Sequence, residues 1–301
     1  MAKYDLAIYL NPRGADREEA MRAIAENGVK LIGTDGTSWV VEKNGAEIEV
    51  FTGLMRKYGL KVQSVHGEGG VIGPPDKPQD ASILHQRNVV DRAHALGAPC
   101  LVFHNRYVSG QPELLTAHQI TQMGVEKLDE IAANVLRQTC RYAAPFGIRI
   151  CLENSVPSTV YSTSVADALP VIERVGEPNL GICLDSGHAH LCGRALKDEI
   201  VLAGKYLFDT HFHDNLGRWD WKKTVPELDL HLVPGLGTIN WPEAVKALET
   251  IGYPGPVVME GILGPGDDLK NNPWKGADTY HEIVAMAIRN WRAFERVSEK
   301  A

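Results

Sequence analysis

The sequence predicts a single (β/α)₈ barrel, and three observations support this prediction. Eight short apolar segments alternate with segments of helical periodicity, which is the pattern of a parallel sheet closed into a barrel. The chain has 301 residues, enough for a barrel of about 250 residues with insertions. The first strand is followed by NPRGAD, not by the G-x-G-x-x-G turn of many doubly wound open sheets, which are the alternative fold. No change in composition marks a second domain within residues 1–301.

Each strand is predicted from a short apolar or alternating run that ends at polar or turn-forming residues. The first run ends before Asn11 and Pro12, and the sixth is cut off by Asp185, Ser186 and Gly187. The predicted strands are Tyr4–Leu10, Val29–Ile32, Leu60–Gly67, Cys100–His104, Ile148–Glu153, Leu180–Asp185, Tyr206–Asn215 and Pro256–Gly261.

The segments between the strands have apolar residues at helical spacing, often with a capping residue before them and a glycine after them. The predicted helices are Arg17–Glu26, Ala46–Lys57, Ala81–Leu96, Pro112–Phe146, Ser164–Val175, Asp198–Gly204, Trp241–Ile251 and Asp278–Val297. The Gly- and Pro-rich segment from Gly67 to Pro78 is too long for a bare connection, so we predict a loop that could cover a site.

Composition and charge argue against several classes of protein. A formal net charge of −7 gives no electrostatic attraction to nucleic acid or to an anionic membrane surface. No apolar run approaches the roughly 18 residues of a membrane span, and the start, MAKYDLAIYLNPRG, has neither a basic leader nor a cleavage-type site. A cytoplasmic location is therefore expected. The five cysteines form no C-x-x-C pair, so neither a thiolate zinc site nor a disulfide framework is expected.

Six of the predicted strands carry a potential metal ligand at their carboxyl end. In a parallel barrel all these ends point to one face, so the six side chains converge although they lie far apart in the sequence. They are His66, His104, Glu153, Asp185, His211 and Glu260. Two glutamates, an aspartate and a histidine form an oxygen-rich ligand set that suits Mn²⁺ first, with Mg²⁺, Co²⁺ and Zn²⁺ as alternatives. A polar network without a metal is the simpler alternative.

Such an ion prefers oxygen donors, and a sugar with a carbonyl and a neighbouring hydroxyl could chelate it. The ion would then stabilise the enediolate that forms when the adjacent C–H is deprotonated. The sequence therefore predicts a carbohydrate substrate and no nucleic-acid or membrane partner. A homo-oligomer is compatible with the sequence.

The segments CLEN, LGICLDSGHA, HFHDN, HLVPGLGTINW and YPGPVVMEG resemble the xylose-isomerase-like TIM barrels. This superfamily contains sugar isomerases and epimerases and also endonuclease IV. The resemblance is strongest from Ile148 to Gly261 and otherwise topological. It implies that the metal ligands are Glu153, Asp185, His211 and Glu260.

The resemblance also implies the catalytic and substrate-binding residues. Glu153 and Glu260 would exchange protons with the substrate on opposite faces, as in the ketose 3-epimerases of the superfamily. In the superfamily an acidic residue lies three positions after the metal-binding histidine. Asp214 lies three positions after His211, so the resemblance implies His211 as the ligand and His213 as a neighbouring or substrate-binding residue. The substrate-binding residues that we expect are His66, His104, His188, His213, Arg218 and Trp219.

The chain departs from the ketose 3-epimerases at two positions. Thr159 stands where they have a further glutamate, and Arg218 matches their strand-seven arginine only approximately. Proton abstraction next to a carbonyl therefore remains the expected chemistry, while 3-epimerisation itself is less favoured. Dehydration or β-elimination on the same barrel would begin with the same step.

A phosphodiesterase resembling endonuclease IV is the rival prediction. That enzyme uses three zinc ions, and the additional ligands it needs are matched by His66, His104, His188, Asp229 and His231. The acidic balance argues against a duplex-binding surface. A catalytically inactive binding protein is a third class, although no ligand of the expected set is missing.

Overall fold

Eight parallel strands form one sheet in the order β7-β6-β5-β4-β3-β2-β1-β8. The computed structural model describes residues 2–10, 17–35, 45–73, 78–107, 123–159, 161–263 and 277–299. Helices connect successive strands, so the fold is a single (β/α)₈ barrel and the predicted fold class is confirmed. The strands are β1 (Leu6–Leu10), β2 (Leu31–Asp35), β3 (Lys61–Ile72), β4 (Cys100–Tyr107), β5 (Arg149–Glu153), β6 (Leu180–Asp185), β7 (Leu207–His211) and β8 (Val257–Met259).

The helices cover the outside of the barrel with amphipathic faces. The α-helices are α1 (Arg17–Glu26), α2 (Gly45–Tyr58), α3 (Asp80–Ala95), α4 (Val125–Ala143), α5 (Val165–Val175), α6 (Ser186–Leu191), α7 (Leu196–Ala203), α8 (Val225–Leu228), α9 (Trp241–Ile251) and α10 (Tyr280–Ser298). Side-chain caps fix several starts: Ser164 accepts the amide of Asp167 before α5, and Thr279 and Glu282 form a capping box at α10. Within the described ranges no helix is both long enough and apolar enough to cross a membrane.

The barrel closes between β7 and β8. Fewer backbone contacts join these two strands than join the other pairs of neighbouring strands. Just beyond β7, the amide of Phe212 donates to the carbonyl of Val258 at 2.8 Å, and the amide of Glu260 donates to the carbonyl of Phe212 at 3.2 Å. The hydroxyl of Thr210 also accepts the amide of Val258 at 3.0 Å. These contacts bring the ends of β7 and β8 together, which places His211 beside Glu260.

The strands differ from the prediction mainly at their ends. The prediction that a loop begins at Gly67 is wrong, because β3 continues to Ile72 and pairs with the extension of β4 at Ile72 and Tyr107. A Cβ at position 67 would lie 2.4 Å from the ring of Phe103, so the glycine allows close packing of two strands and does not mark a turn. Residues 74–77 of the predicted loop and 112–122 of the predicted fourth helix lie outside the described residues.

Candidate metal and active site

Glu153, at the carboxyl end of β5, lies at the centre of a group of histidines and is 1% exposed. Its Oε1 accepts a hydrogen bond from Nδ1 of His211 at 2.9 Å. Its Oε2 lies 3.0 Å from Nε2 of His66 and 3.5 Å from Nε2 of His104. Glu260 follows β8, and its Oε2 lies 3.3 Å from Nδ1 of His211. Strands β3, β4, β5, β7 and β8 therefore converge here, as the barrel geometry predicts.

This group has the composition of a divalent metal site. His66, Glu153, His211 and Glu260 each present one ligand atom, and these four atoms lie within 4.8 Å of one another. The Oε2 atom of Glu153 is buried, and the geometry of its approach to His66 is not that of a hydrogen bond. A buried carboxylate oxygen without a hydrogen-bond donor is rare in proteins. Carboxylate and imidazole ligands together suit Mn²⁺, Co²⁺ or Zn²⁺, so the residues fit such an ion.

The charges in this group shift the pKa values strongly. Burial alone would lower the pKa of His211, but the carboxylates of Glu260 and Glu153 outweigh it and raise the pKa to about 10. Burial would raise the pKa of Glu153, yet His211 and His104 hold it well below its usual range. Burial raises the pKa of Glu260, and the negative charge of Glu153 adds to this effect although His211 opposes it. Without a metal, the His211 imidazolium therefore supplies the positive charge between the two glutamates.

Asp185, at the end of β6, belongs to a neighbouring cluster. Its Oδ1 accepts the backbone amide of His188 at 2.6 Å, which caps α6, and its Oδ2 lies 3.0 Å from Nε2 of His213. Nε2 of His188 lies 3.1 Å from Oδ2 of Asp229. Asp185, His188 and His213 form a second group whose ligand atoms lie within 4.8 Å of one another. Asp185 therefore lies next to the group formed by His66, Glu153, His211 and Glu260 but is not part of it.

His231 completes the second cluster from the loop after α8. Its ring stacks on that of His213 with centroids 4.0 Å apart, and its Nδ1 donates to the backbone carbonyl of Asp229 at 3.0 Å. Its backbone has φ of +47°, a left-handed conformation that is strained for a residue with a side chain. Burial would lower the pKa of His213, but Asp185 and Asp229 raise it to about 9. His231, His213 and His188 together hold the pKa of Asp229 far below its usual value against the effect of burial.

Asn154 joins the two clusters. Its side-chain amide donates to the carbonyl of Asp185 at 3.0 Å, and its side-chain oxygen accepts the amide of Asp185 at 2.8 Å. Its backbone carbonyl accepts a hydrogen bond from Nδ1 of His188 at 2.9 Å. Because Asn154 directly follows Glu153, it fixes the end of β5 against the end of β6. The register of the two proposed ligands Glu153 and Asp185 follows from these contacts.

The turn from β6 into α6 places His213 by packing as well as by hydrogen bonds. The hydroxyl of Ser186 donates to the carbonyl of His213 at 2.7 Å, and the amide of His213 donates to the same hydroxyl at 2.9 Å. Gly187 is required here, because a Cβ would lie 1.9 Å from Cε1 of His213. The segment LDSGH therefore supplies the side chains of Asp185 and His188 and, at Gly187, the space that the ring of His213 needs.

Asp214 holds the loop behind the site. Its Oδ2 accepts hydrogen bonds from Nε1 of Trp241 at 2.7 Å and from the amide of Gly235 at 2.9 Å. Its Oδ1 accepts the amide of Ile239 at 3.2 Å. In the HFHD segment it is therefore His211 that contacts Glu153 and Glu260, while His213 contacts Asp185 and Asp214 anchors the following loop.

The remaining predicted site residues lie further from the two clusters. Arg218 is exposed on the loop after β7, and Trp219 packs against the apolar cluster of Val156, Leu191 and Leu228. Thr159 is buried, and its hydroxyl donates to the carbonyl of Val156 at 2.8 Å.

Two residues that lie next to His211 were not predicted from the sequence. The ring of Tyr9, on β1, lies edge-on to that of His211 with centroids 5.9 Å apart. Asp209 lies on β7 two residues before His211 and is completely buried, and burial raises its pKa to about 6 although His211 opposes this effect. The signal was the alternation in DTH, which places Asp209 and His211 on the same face of the strand.

Two relatives with named activities are similar in sequence to part of this chain. An inosose isomerase from Halalkalibacterium halodurans is 26% identical over 178 residues, which cover 59% of this chain and 58% of that protein. A D-psicose 3-epimerase from Agrobacterium fabrum is 28% identical over 179 residues, which cover 58% of this chain and 54% of that protein. The chain therefore aligns with little more than half the length of these two enzymes.

The solved structures agree in fold. A crystal structure described as a D-tagatose 3-epimerase-like protein superposes with a TM-score of 0.72 over 98% of both chains, at 17% sequence identity. At this identity the superposition demonstrates the shared barrel alone. The model of one protein family matches residues 19–277, which is most of the sequence. The chain therefore belongs to the xylose isomerase-like TIM barrel family.

Proposed function

We propose that the protein is a divalent-metal-dependent carbohydrate isomerase or epimerase that removes a proton next to a carbonyl group. The observation that carries this proposal is the contact of two glutamates, Glu153 and Glu260, with one ring nitrogen of His211 at 2.9 and 3.3 Å. Two carboxylates beside a metal-ligating histidine provide both a base and an acid within reach of one substrate. The inosose isomerase and the D-psicose 3-epimerase among the relatives support a carbohydrate substrate.

The proposed ligands of the ion are Glu153, Asp185, His211 and Glu260, with Mn²⁺ as the proposed metal. Asp185 keeps this role because a carboxylate has about four lone pairs, so its contacts with His188 and His213 leave capacity for an ion. When bound, the ion would polarise the substrate carbonyl and stabilise the negative charge that develops on its oxygen.

The side chains of the protein would carry the proton transfers. One glutamate removes the proton from the carbon next to the carbonyl, and the other delivers a proton from the opposite face. Delivery to the same carbon gives epimerisation. Delivery to the former carbonyl carbon gives isomerisation, in which the hydroxyl proton of the first carbon also passes to the former carbonyl oxygen. Loss of a leaving group from the same intermediate would instead give dehydration or elimination, so the first step is common to all three reactions.

Three partly exposed histidines are the best placed to bind substrate hydroxyls. The side chains of His66, His104 and His188 are 17%, 10% and 12% exposed, whereas His213 is fully buried against Asp185. We therefore propose His66, His104 and His188 as the direct substrate contacts. His213 would act by orienting Asp185, and Arg218 and Trp219 would form the outer rim of the mouth.

Exchange of substrate hydrogen with solvent deuterium tests this function. Candidate ketoses, aldoses and inososes are incubated with the Mn²⁺-loaded protein in D₂O, and the recovered carbohydrates are analysed by mass spectrometry and NMR. We expect a product with deuterium at one carbon. Glu153→Gln and Glu260→Gln should each lower kcat by about 10²- to 10⁴-fold, while the exposed Glu173→Gln should not. If no carbohydrate incorporates deuterium, the proposal fails.

A phosphodiesterase with several metal ions is a second candidate, and the second cluster is the observation that favours it. His66 and His104 both approach Glu153, and His188 and His231 both approach Asp229. The metal count in purified protein discriminates between the two functions. Three zinc ions with cleavage of abasic-site DNA would support the phosphodiesterase, and one Mn²⁺ with deuterium exchange would support the isomerase or epimerase.

Two further properties belong to the same proposal. We propose that residues 1–301 act as one catalytic domain and that the enzyme works in the cytoplasm. The single eight-stranded sheet supports the first of these.

A further inference from the structure

Asp209 lies in the barrel interior directly beneath His211. The two residues are separated by one position on β7, so their side chains point to the same face of the strand, with Asp209 one layer deeper. Asp209 is completely buried, and neither of its carboxylate oxygens has a hydrogen-bond partner among the described residues. The hydroxyl of Ser64 and the backbone amide of Thr210 lie nearby, but neither makes a hydrogen bond of good geometry with Asp209. A buried carboxylate in this position needs a donor or a cation.

The imidazole of His211 has an unused nitrogen in the same region. Its Nδ1 is taken by Glu153 and Glu260, whereas its Nε2 is buried and has no hydrogen-bond partner in the described part of the chain. One ring nitrogen of His211, a carboxylate oxygen of Asp209 and the sulfur of Cys183 lie within 4.8 Å of one another. Because Nδ1 is engaged by the glutamates, Nε2 is the ring nitrogen of His211 that remains for Asp209.

Several groups near Asp209 are already engaged or form only weak hydrogen bonds. The guanidinium of Arg149 donates to the sulfur of Cys100 at 3.1 Å and lies over the ring of Phe208 at 5.3 Å. Cys183 is a buried thiol, a weak acceptor that cannot replace a carboxylate. Two donors near Asp209 therefore still lack a hydrogen bond among the described residues, the hydroxyl of Ser64 and Nε2 of His211, and only Nε2 belongs to a residue that also contacts the two glutamates.

We propose that Asp209 is a positioning residue that accepts the Nε2 proton of His211, directly or across one water molecule, and so presents the Nδ1 lone pair to the metal ion. This inference rests on the proposed function, since it takes His211 as a metal ligand. A metal-bound histidine usually donates its other ring N–H to a carboxylate, a carbonyl or a water, which fixes its tautomer and raises its basicity. Asp209 would supply this contact from below the metal site.

The test uses two substitutions of Asp209 and one control in the same layer. Asp209→Leu removes the acceptor, and Asp209→Asn keeps an acceptor oxygen without the charge. Cys151→Ala is the matched control, because Cys151 lies two residues before Glu153 on β5 as Asp209 lies two residues before His211 on β7, and it is equally buried. Mn²⁺ affinity is measured by EPR titration of the folded proteins. The ring N–H signals of ¹⁵N-labelled histidines are measured by NMR, with Zn²⁺ and without metal.

We expect Asp209→Leu to weaken Mn²⁺ binding by about 10- to 100-fold, Asp209→Asn to weaken it less, and Cys151→Ala to leave it unchanged. The Nε2–H signal of His211 should be visible in the wild type, shifted in Asp209→Asn and lost to fast exchange in Asp209→Leu. Wild-type affinity in both Asp209 variants, or an unchanged Nε2–H signal, would overturn the proposal. The proposal would also be overturned if the Asp209 variants lost a second bound ion while the affinity for the first ion stayed unchanged, because Asp209 would then be a metal ligand itself.

The same measurements separate this inference from the proposed function. A wild type that binds Mn²⁺ but exchanges no deuterium contradicts the isomerase or epimerase activity and leaves the role of Asp209 in metal binding supported. A wild type that binds no divalent ion contradicts both. In that case an Nε2–H signal that disappears in Asp209→Leu would identify the contact as purely structural.

Discussion

His66 and Asp185 are two candidates for the fourth metal ligand beside the other proposed ligands Glu153, His211 and Glu260. His66 lies in the group of ligand atoms within 4.8 Å, whereas Asp185 lies in the neighbouring group with His188 and His213. The side chain of His66 is 17% exposed and faces the barrel mouth, and that of Asp185 is fully buried. A buried carboxylate suits a permanent ligand, and a partly exposed imidazole suits a group that contacts the substrate.

Substitution of these two residues should therefore have different effects. We expect Asp185→Ala to weaken Mn²⁺ binding by at least about 100-fold, because a direct ligand is lost and such effects exceed those of outer-shell residues. His66→Ala should retain the metal within about tenfold and raise KM. Calorimetric Mn²⁺ titration and steady-state kinetics would measure both. Asp198→Ala and His281→Ala, at exposed helical positions, are the matched controls. Loss of metal in His66→Ala with retention in Asp185→Ala would reverse the assignment.

At the scale of elements, the site depends on how the end of β5 is joined to the start of α6. Asn154 makes two side-chain hydrogen bonds with the backbone of Asp185, and both residues are buried. Removal of the amide would leave the N–H group of Asp185 without its acceptor in the protein interior, which costs about 1–3 kcal/mol. The C=O group of Asp185, the N-cap of α6, would lose one of its hydrogen bonds, which costs about 0.5–1.5 kcal/mol.

We expect Asn154→Ala to lower the free energy of unfolding by about 2–4 kcal/mol, measured by urea denaturation of the metal-free protein. The control is Asn134→Ala on the exposed face of α4, which should change stability little, since alanine favours the helix. A change in Asn154→Ala no larger than in the control would show that β5 and β6 are held by other contacts.

Much of this arrangement could be predicted from the sequence, and the exceptions have physical reasons. The apolar runs of β5 and β6 fixed their own ends, because Glu153 and Asp185 interrupt them. The end of β3 was not predictable, because Gly67 resembles a turn residue although it allows close strand packing. The pairing of Asp185 with His213 depends on the distance between β6 and β7 in space, which local periodicity does not contain. Asp209 was not predicted because a single acidic residue in an apolar strand does not show which side chain lies next to it inside the barrel.

Over the whole molecule, the mouth of the barrel concentrates charge of both signs in a small buried volume. Four carboxylates and six histidines line the two clusters: Glu153, Asp185, Asp229, Glu260, His66, His104, His188, His211, His213 and His231. In the metal-free protein the raised pKa values of His211 and His213 favour their protonated forms, which balance part of this negative charge. A divalent ion would replace this positive charge, so protons and metal compete for the same site.

This competition predicts the effect of pH on stability. The pKa of His211 is raised to about 10 and that of His213 to about 9, compared with about 6.5 for an unperturbed histidine. Because the pKa values of His211 and His213 are higher in the folded state than in the unfolded state, protonation of these histidines stabilises the fold. This stabilisation is fully present below pH 6.5 and is lost as the pH rises toward 9–10. The metal-free protein should therefore lose stability across this range, whereas Mn²⁺ affinity should increase by up to about tenfold per pH unit, because each bound ion displaces a proton.

Thermal unfolding between pH 6.5 and 8.5, with Mn²⁺ and with EDTA, would measure both effects. We expect the Tm in EDTA to fall as the pH rises and the increase in Tm caused by Mn²⁺ to grow, because binding to the folded state stabilises it in proportion to the logarithm of the affinity. Proton release on Mn²⁺ binding can be followed independently by calorimetry in buffers of different ionisation enthalpy. His281→Ala should behave as the wild type, since this histidine is exposed on α10. A metal-induced shift in Tm that is constant over this range would mean that the ion displaces no proton from the histidines, and that they balance the carboxylates only as neutral hydrogen-bond donors.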